Sequence, residues 1–246
     1  MQSCSVQQFN QPVIRAFIET SLIDWDGKIT SVLFFDRCNF RCPFCQNWRL
    51  ITNPEKYPVY EFEEIFKRLI QKKNWIDGVV LTGGEPLLFY KDVIKISKKL
   101  KEHDFGVKLD TNGAFPDELE SLLNLKLIDY IAMDIKAPLD DNYFIAIGRI
   151  HRQEPTILER IKKTISLLMN SGIEYEFRTT CVPGLIDKES IIKIGTEIKD
   201  AKRWVLQRFI PINAYKREFR KRSYDEKFLN ELLDTAQNFV PNAKLR

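Results

Sequence analysis

The chain has 246 residues, 44% of them hydrophobic and 29% charged, enough to bury one substantial core of ordinary α/β size. A net charge of +4 with both signs abundant argues against a nucleic-acid binder, which carries a stronger basic bias. No apolar stretch approaches the roughly 20 residues of a membrane span, and Met1-Gln2-Ser3-Cys4-Ser5-Val6 lacks the basic segment and apolar run of a secretory signal, so the expected location is cytoplasmic and reducing.

From the N-terminus, residues 1–28 read as an extension and Ile29 to Asp36 as a buried strand of continuous apolar character. A loop with Cys38, Cys42 and Cys45 follows directly. Residues 60–73 place Phe62, Ile65, Phe66, Leu69 and Ile70 at helical spacing, and Gly78 to Thr82 is a short second strand. A helix is expected over about 91–102, a third strand over 105–110, and a short helix over 116–124 entered through Pro116, whose missing N–H costs nothing there. A fourth strand spans 128–135. A long helix covers about 155–170 and ends at Ser171-Gly172, a C-cap pattern. Strand five at 173–180, helix 188–199, strand six at 203–210 and a closing amphipathic helix at 224–238 complete the series. The basic stretch 216–222 reads as a solvated loop or helix start, with docking of an acidic partner as the other reading.

Alternating strands and helices with short connections imply a parallel sheet with right-handed crossovers. Six units are too few for the closed eight-stranded barrel, so the expected fold is α/β, a partial (β/α)6 barrel with outer helices. A single domain is expected over residues 1–246, with its barrel core at about 29–212.

The spacing CxxxCxxC supplies three thiolates within eight residues. A structural zinc takes four protein ligands and a fully ligated 4Fe–4S cluster takes four thiolates, so three leave one position open. A zinc loop completed by Cys4, Cys181, His103 or His151 is the bland alternative. The odd cysteine count does not fit a disulfide framework.

Other strand ends on the same edge carry residues that are poor filler. Gly83-Gly84-Glu85-Pro86 follows strand two; its glycines let backbone approach a neighbour closely, and a tight turn is the bland reading. Asp110 and Asn112 lie at the end of strand three. Asp134 and Lys136 share one face at the end of strand four, where a buried acid needs a hydrogen-bonding or cationic partner. Arg178 on strand five could clamp a carboxylate. Gathered on one edge, these resemble an active-site rim.

Cys38-xxx-Cys42-xx-Cys45, with Phe44 before the last cysteine and Gly83-Gly84-Glu85-Pro86 following, resembles the radical S-adenosylmethionine (SAM) superfamily over nearly the whole chain. Residues 21–28 and the Cys-Asn-Phe-Arg-Cys-Pro-Phe-Cys-Gln-Asn loop resemble its glycyl-radical-enzyme activases, nearest to the activating proteins of anaerobic ribonucleotide reductases. The resemblance implies that Cys38, Cys42 and Cys45 bind a 4Fe–4S cluster whose fourth iron is chelated by SAM. By the same resemblance Phe44 positions the adenine, and Gly83, Gly84 and Glu85 hold the methionine amino group. Asp110, Asn112 and Asp134 line the ribose and methionine side, with a cation as one way to offset the carboxylates. Lys136 and Arg178 are candidates for the SAM carboxylate. Implied partners are a glycyl radical enzyme as protein substrate and an external low-potential electron donor. A small-molecule radical SAM enzyme, akin to the ring-contracting enzymes of deazapurine synthesis, and a non-catalytic metal-binding protein are the other readings.

Overall fold

A computed structural model describes residues 14–149 and 155–246. Its strands form one eight-stranded sheet whose spatial order follows the chain. Strand β1 (Ile14–Ser21) pairs antiparallel with β2 (Thr30–Phe35). Then β3 (Gly78–Gly83), β4 (Gly106–Thr111), β5 (Tyr130–Asp134), β6 (Glu174–Cys181), β7 (Trp204–Arg208) and β8 (Lys244–Leu245) add in parallel. The helices are α1 (Trp48–Thr52), α2 (Phe62–Gln71), α3 (Tyr90–Lys101), α4 (Pro116–Asn124), α5 (Asp141–Ala146), α6 (Pro155–Asn170), α7 (Lys188–Glu197) and α8 (Glu226–Gln237). None among the described residues is long and apolar enough to cross a membrane.

The six expected strand–helix units are present as β2 to β7 with their helices. Two strands, β1 and β8, and two short helices, α1 and α5, extend them. Strand β1 breaks the alternation that betrays a strand: its pairing with β2 shifts register twice, and its later residues are exposed. Strand β8 has two residues, too few to show any periodicity.

Three helix starts are fixed by carboxylates. Asp187 accepts from Ser190 N–H at 2.8 Å, Asp225 from Phe228 N–H at 2.8 Å and Asp140 from Asn142 N–H at 2.9 Å, each satisfying an orphan donor of a first turn. The principal core lies between the outer sheet face and the helices, where Leu33, Leu81, Leu109, Ile131, Phe177 and Leu206 meet residues such as Leu69, Val93, Leu119 and Ile161.

The inner face is different. Its lower end is plugged by Trp25, packed with Val32, Val80 and Tyr130. Gly78 leaves the room: a Cβ there would stand 2.9 Å from the Trp25 ring. Asp26, beside that plug, forms ion pairs with Lys244, with Arg246 at 2.9 Å and with Arg203 at 3.7 Å. The segment between β1 and β2 is thereby tied to the far edge of the sheet, and the floor is closed. Open space remains at the C-terminal ends of the parallel strands, where such folds place their chemistry.

Candidate active site

A cavity of about 540 Å³ occupies that end. Cys38, Cys42, Cys45 and Phe44 contribute to its wall, with Gly83, Gly84, Asp110, Asn112, Asp134, Lys136 and Arg178. All but one of the expected site residues therefore converge on one space; the exception is Glu85, which is fully buried beneath it.

The cysteine loop leaves β2 through Asp36, whose buried carboxylate pairs with Arg15 Nε at 3.2 Å. The loop is held by its own backbone and by its neighbours. Cys45 N–H donates to Cys42 O at 3.1 Å, Arg41 N–H to Ile147 O at 2.9 Å and Lys216 N–H to Pro43 O at 2.8 Å. Arg41 Nη1 donates to the carbonyls of Cys38 at 2.5 Å and Phe40 at 2.8 Å. Segment 210–216, which follows β7, thus lies along the loop, with Tyr215 5.4 Å from the Trp48 ring and Trp48 Nε1 donating to Asn213 O at 3.0 Å. The basic stretch beyond it is a loop containing one short turn, Arg217–Phe219, with Phe219 buried and Lys216, Arg217 and Lys221 exposed.

Burial pushes the Cys38 thiol up to about 12, with the Glu85 carboxylate adding to it. It also raises Cys42 and Cys45, against which the Lys136 ammonium is the largest opposing influence. Three buried thiols of this kind become thiolates only with strong positive charge among them. The iron of a 4Fe–4S cluster provides that charge, and the donor set fits it. Among the described residues no three Cys, His, Asp or Glu side chains converge closely enough to hold a single metal ion. A cluster that gives each thiolate its own iron spreads its ligands more widely than one tetrahedral zinc does. Cys181 and His103 lie apart from the cavity: Cys181 is a buried core residue whose thiol burial raises to about 12, and His103 packs edge-on against Phe66 at 4.9 Å. Cys4 and His151 fall outside the described residues.

The Gly-Gly-Glu-Pro turn is built for its neighbours in the fold. Gly84 N–H donates to Phe35 O at 2.8 Å and Glu85 N–H to Arg37 O at 2.9 Å, while Gly83 O accepts from Asn47 Nδ2 at 3.2 Å. The close approach that the glycines permit is to the chain entering the cysteine loop. Glu85 accepts from Asn112 N–H at 2.7 Å, Thr111 Oγ1 at 2.9 Å and Leu87 N–H at 3.2 Å. Burial pushes its carboxyl up to about 7, against these three donors. It clamps the ends of β3 and β4 together and takes no part in the cavity wall.

The charged strand ends form one network. Arg178 donates through Nε to Asp134 at 2.7 Å and through Nη1 to Asp110 at 3.0 Å. Lys136 Nζ meets Asp134 at 2.7 Å, and Thr82 Oγ1 donates to Asp110 at 3.1 Å. Burial disfavours the Asp134 charge, but Arg178 and Lys136 overcome it and hold the carboxyl well below the usual range. Arg178 and Lys136 thus offset much of the paired carboxylate charge, while Asp110 Oδ1 is buried without a hydrogen-bond partner, which leaves room for the cation that was one expectation. Arg178 clamps two carboxylates of the protein through Nε and Nη1 while it also lines the cavity.

Sequence reasoning missed Lys108, which is buried and reaches Asp24 O, Asp110 at 3.7 Å and Glu176 at 3.9 Å. A lysine inside an apolar strand was the available signal. Thr82, Thr180, Gln207, Arg208 and Arg246, also in the cavity wall, were missed as well; alternation along β3, β6 and β7 could have found the first three.

Residues 32–193 match the radical SAM superfamily. The chain belongs to that superfamily. Members carry a 4Fe–4S cluster and SAM, the two cofactors for which the thiol set and cavity are suited. A Methanocaldococcus jannaschii protein provisionally named a glycyl-radical enzyme activating enzyme is 34% identical, with 95% of each chain covered. The pyruvate formate-lyase-activating enzyme of Clostridium pasteurianum is 30% identical over 90% of this chain and 98% of its own. Among solved structures, a radical SAM methyltransferase from Sphaerobacter thermophilus superposes with a TM-score of 0.69 at 14% identity, covering 90% of this chain and 67% of that one; at that identity the likeness concerns the fold. By sequence, this radical SAM chain groups with the glycyl-radical-enzyme activating branch.

Proposed function

We propose that this protein, as a single domain over residues 1–246, generates the glycyl radical of a partner enzyme at the expense of SAM and an electron from an external low-potential donor in a reducing cytoplasm. The observation that carries the reading is the convergence of three loop thiols and a balanced charge network on one cavity, in a chain whose relatives over nine-tenths of its length bear activase names. When bound, the cluster and SAM supply one-electron cleavage to methionine and a 5′-deoxyadenosyl radical that removes hydrogen from a glycine Cα.

The chain's own part is placement. Cys38, Cys42 and Cys45 hold the cluster. Phe44, buried beside Cys45, offers a ring face to the adenine. Asp110, Asp134 and Lys136 form the polar wall along SAM, and Arg178 holds both carboxylates at fixed separation. Gly83, Gly84 and Glu85 act by setting the distance between the cysteine loop and the end of β4. No general base is required.

The partner is a glycyl radical enzyme; the relatives' names include pyruvate formate-lyase activation, and an anaerobic ribonucleotide reductase is the other candidate. Reduced, reconstituted protein and SAM should be incubated anaerobically with each. A doublet electron-resonance signal on one of them, with stoichiometric 5′-deoxyadenosine, is expected. SAM cleavage with no glycyl radical on any partner would move the protein to the small-molecule class.

A further inference from the structure

Asn112 lines the cavity, and its side chain also has partners within the protein. The amide oxygen accepts from Ala114 N–H at 3.0 Å, a local turn that fixes which end of the amide points where. The amide nitrogen is therefore aimed at the cysteine loop, 2.7 Å from Asn39 Oδ1 and 3.7 Å from Cys38 Sγ. The backbone is equally constrained, because Asn112 N–H is held by Glu85 at 2.7 Å. Asn112 is 5% exposed, so water does not compete freely for that donor.

The three sulfurs are consequently inequivalent. Cys38 Sγ receives Phe40 N–H at 3.4 Å as well as the Asn112 amide, whereas Cys45 receives the backbone N–H of Asn47. Hydrogen bonds to cluster sulfurs withdraw charge from the thiolate and stabilise the reduced, more negative state. We infer that Asn112 is a positioning residue for the cluster, donating to the Cys38 sulfur and raising the cluster's reduction potential. The inference rests on the proposed assignment of Cys38, Cys42 and Cys45 as cluster ligands. In chemical terms, the Gly-Gly-Glu-Pro turn reaches the cluster through Glu85 and Asn112 rather than by touching it.

The test compares wild type with Asn112→Asp and Asn112→Leu, each reconstituted anaerobically and titrated without SAM by redox potentiometry followed by electron resonance. Asn112→Asp keeps the oxygen that caps Ala114 and loses the donor, which separates the hydrogen bond from the turn. Both variants are expected to be harder to reduce, Asn112→Asp the more so because it adds negative charge. A tenfold lower ratio of reduced to oxidised cluster at fixed solution potential corresponds to about 59 mV for one electron. Fe–S stretching frequencies in resonance Raman spectra should shift in the same samples. If both variants titrate with wild type while their SAM affinity falls, Asn112 is a SAM contact and the inference is overturned. If wild type itself assembles no 4Fe–4S cluster, the ligand assignment fails instead.

Discussion

Gly84→Ala is the substitution on which the structural reading of the Gly-Gly-Glu-Pro turn depends. A Cβ at this position would stand 1.7 Å from Arg37 O, 2.6 Å from Arg37 C and 2.8 Å from Asp36 O, against ordinary contact beginning at 3.4 Å. Every obstructing atom is backbone, so no rotamer relieves the clash. Residues 36–37 must move by more than 1 Å relative to β3, and the hydrogen bonds of Gly84 N–H to Phe35 O and of Glu85 N–H to Arg37 O are strained or lost. Two net hydrogen bonds at about 1 kcal/mol each and overpacking strain of about 1–3 kcal/mol give a destabilisation of about 3–5 kcal/mol. For a domain of this size each kcal/mol moves Tm by about 2–4 °C, so a fall of roughly 10 °C is expected in thermal unfolding of the cluster-free protein.

Gly172→Ala is the control. Gly172 has φ +75°, and a methyl group added there would meet nothing within 4 Å, so only the left-handed backbone penalty of about 1 kcal/mol applies. Were the glycines of the turn there only to admit SAM, Gly84→Ala would leave the cluster-free protein as stable as wild type and weaken SAM binding alone. A Tm loss for Gly84→Ala no greater than that of Gly172→Ala would refute the reasoning.

Further substitutions separate the remaining roles. Cys42→Ala should abolish 4Fe–4S incorporation, measured as iron and sulfide per chain, while leaving circular dichroism unchanged; retained SAM cleavage in that variant would remove Cys42 from the ligand set. Glu85→Ala leaves three donors, Asn112 N–H, Leu87 N–H and Thr111 Oγ1, without their acceptor and should cost about 3 kcal/mol in urea unfolding of the cluster-free protein; unchanged stability would assign Glu85 to SAM alone. Asp134→Asn should cost about 2 kcal/mol at neutral pH, below the ~3–5 kcal/mol of a fully buried pair, because the site opens on the cavity. Since the folded-state pKa of Asp134 is depressed, its stabilisation is present above about pH 4 and is lost as pH falls further. The stability gap between wild type and Asp134→Asn should therefore narrow on acidification; a gap constant from pH 7 to pH 3 would contradict the network.

The cysteine loop was legible because spacing alone states its chemistry, and β2 to β7 were legible because each is a short apolar run followed by helical spacing. The need of Asp134 for a cationic partner was also readable, since burial at a strand end forbids a lone carboxylate. Lys136, on the same face, was one readable candidate, but the second cation was not. Arg178 sits opposite Asp134 in the register of β5 and β6, and that pairing depends on a register fixed by about forty intervening residues. The same limit hid the role of Glu85. Its partners lie at Thr111 and Asn112 at the end of the next strand, so its part as a clamp between strands could not be read from its place beside two glycines. Strand β1 was invisible because its irregular pairing leaves no alternation to follow.

The inner face explains why these charges can be buried at all. Barrels of this kind ordinarily fill their interiors with branched apolar side chains, and here Trp25 and its neighbours fill only the floor. Above them the charge changes sign along β4 (Lys108, Asp110) and along β6 (Glu176, Arg178), and β5 ends in Asp134. Lys108 lies 3.7 Å from Asp110 and 3.9 Å from Glu176, and Arg178 bridges Asp110 and Asp134. Every cation in this ladder faces an anion on its own strand or the next. Such pairs add little net stability over apolar packing, and their use lies in geometry. Lys108 ties Asp110 to the carbonyl of Asp24 in the plugged floor, and Asp110 ties Arg178 to Asp134 at the mouth. The polar wall of the cavity is thus anchored through its own charges to the most tightly closed part of the fold.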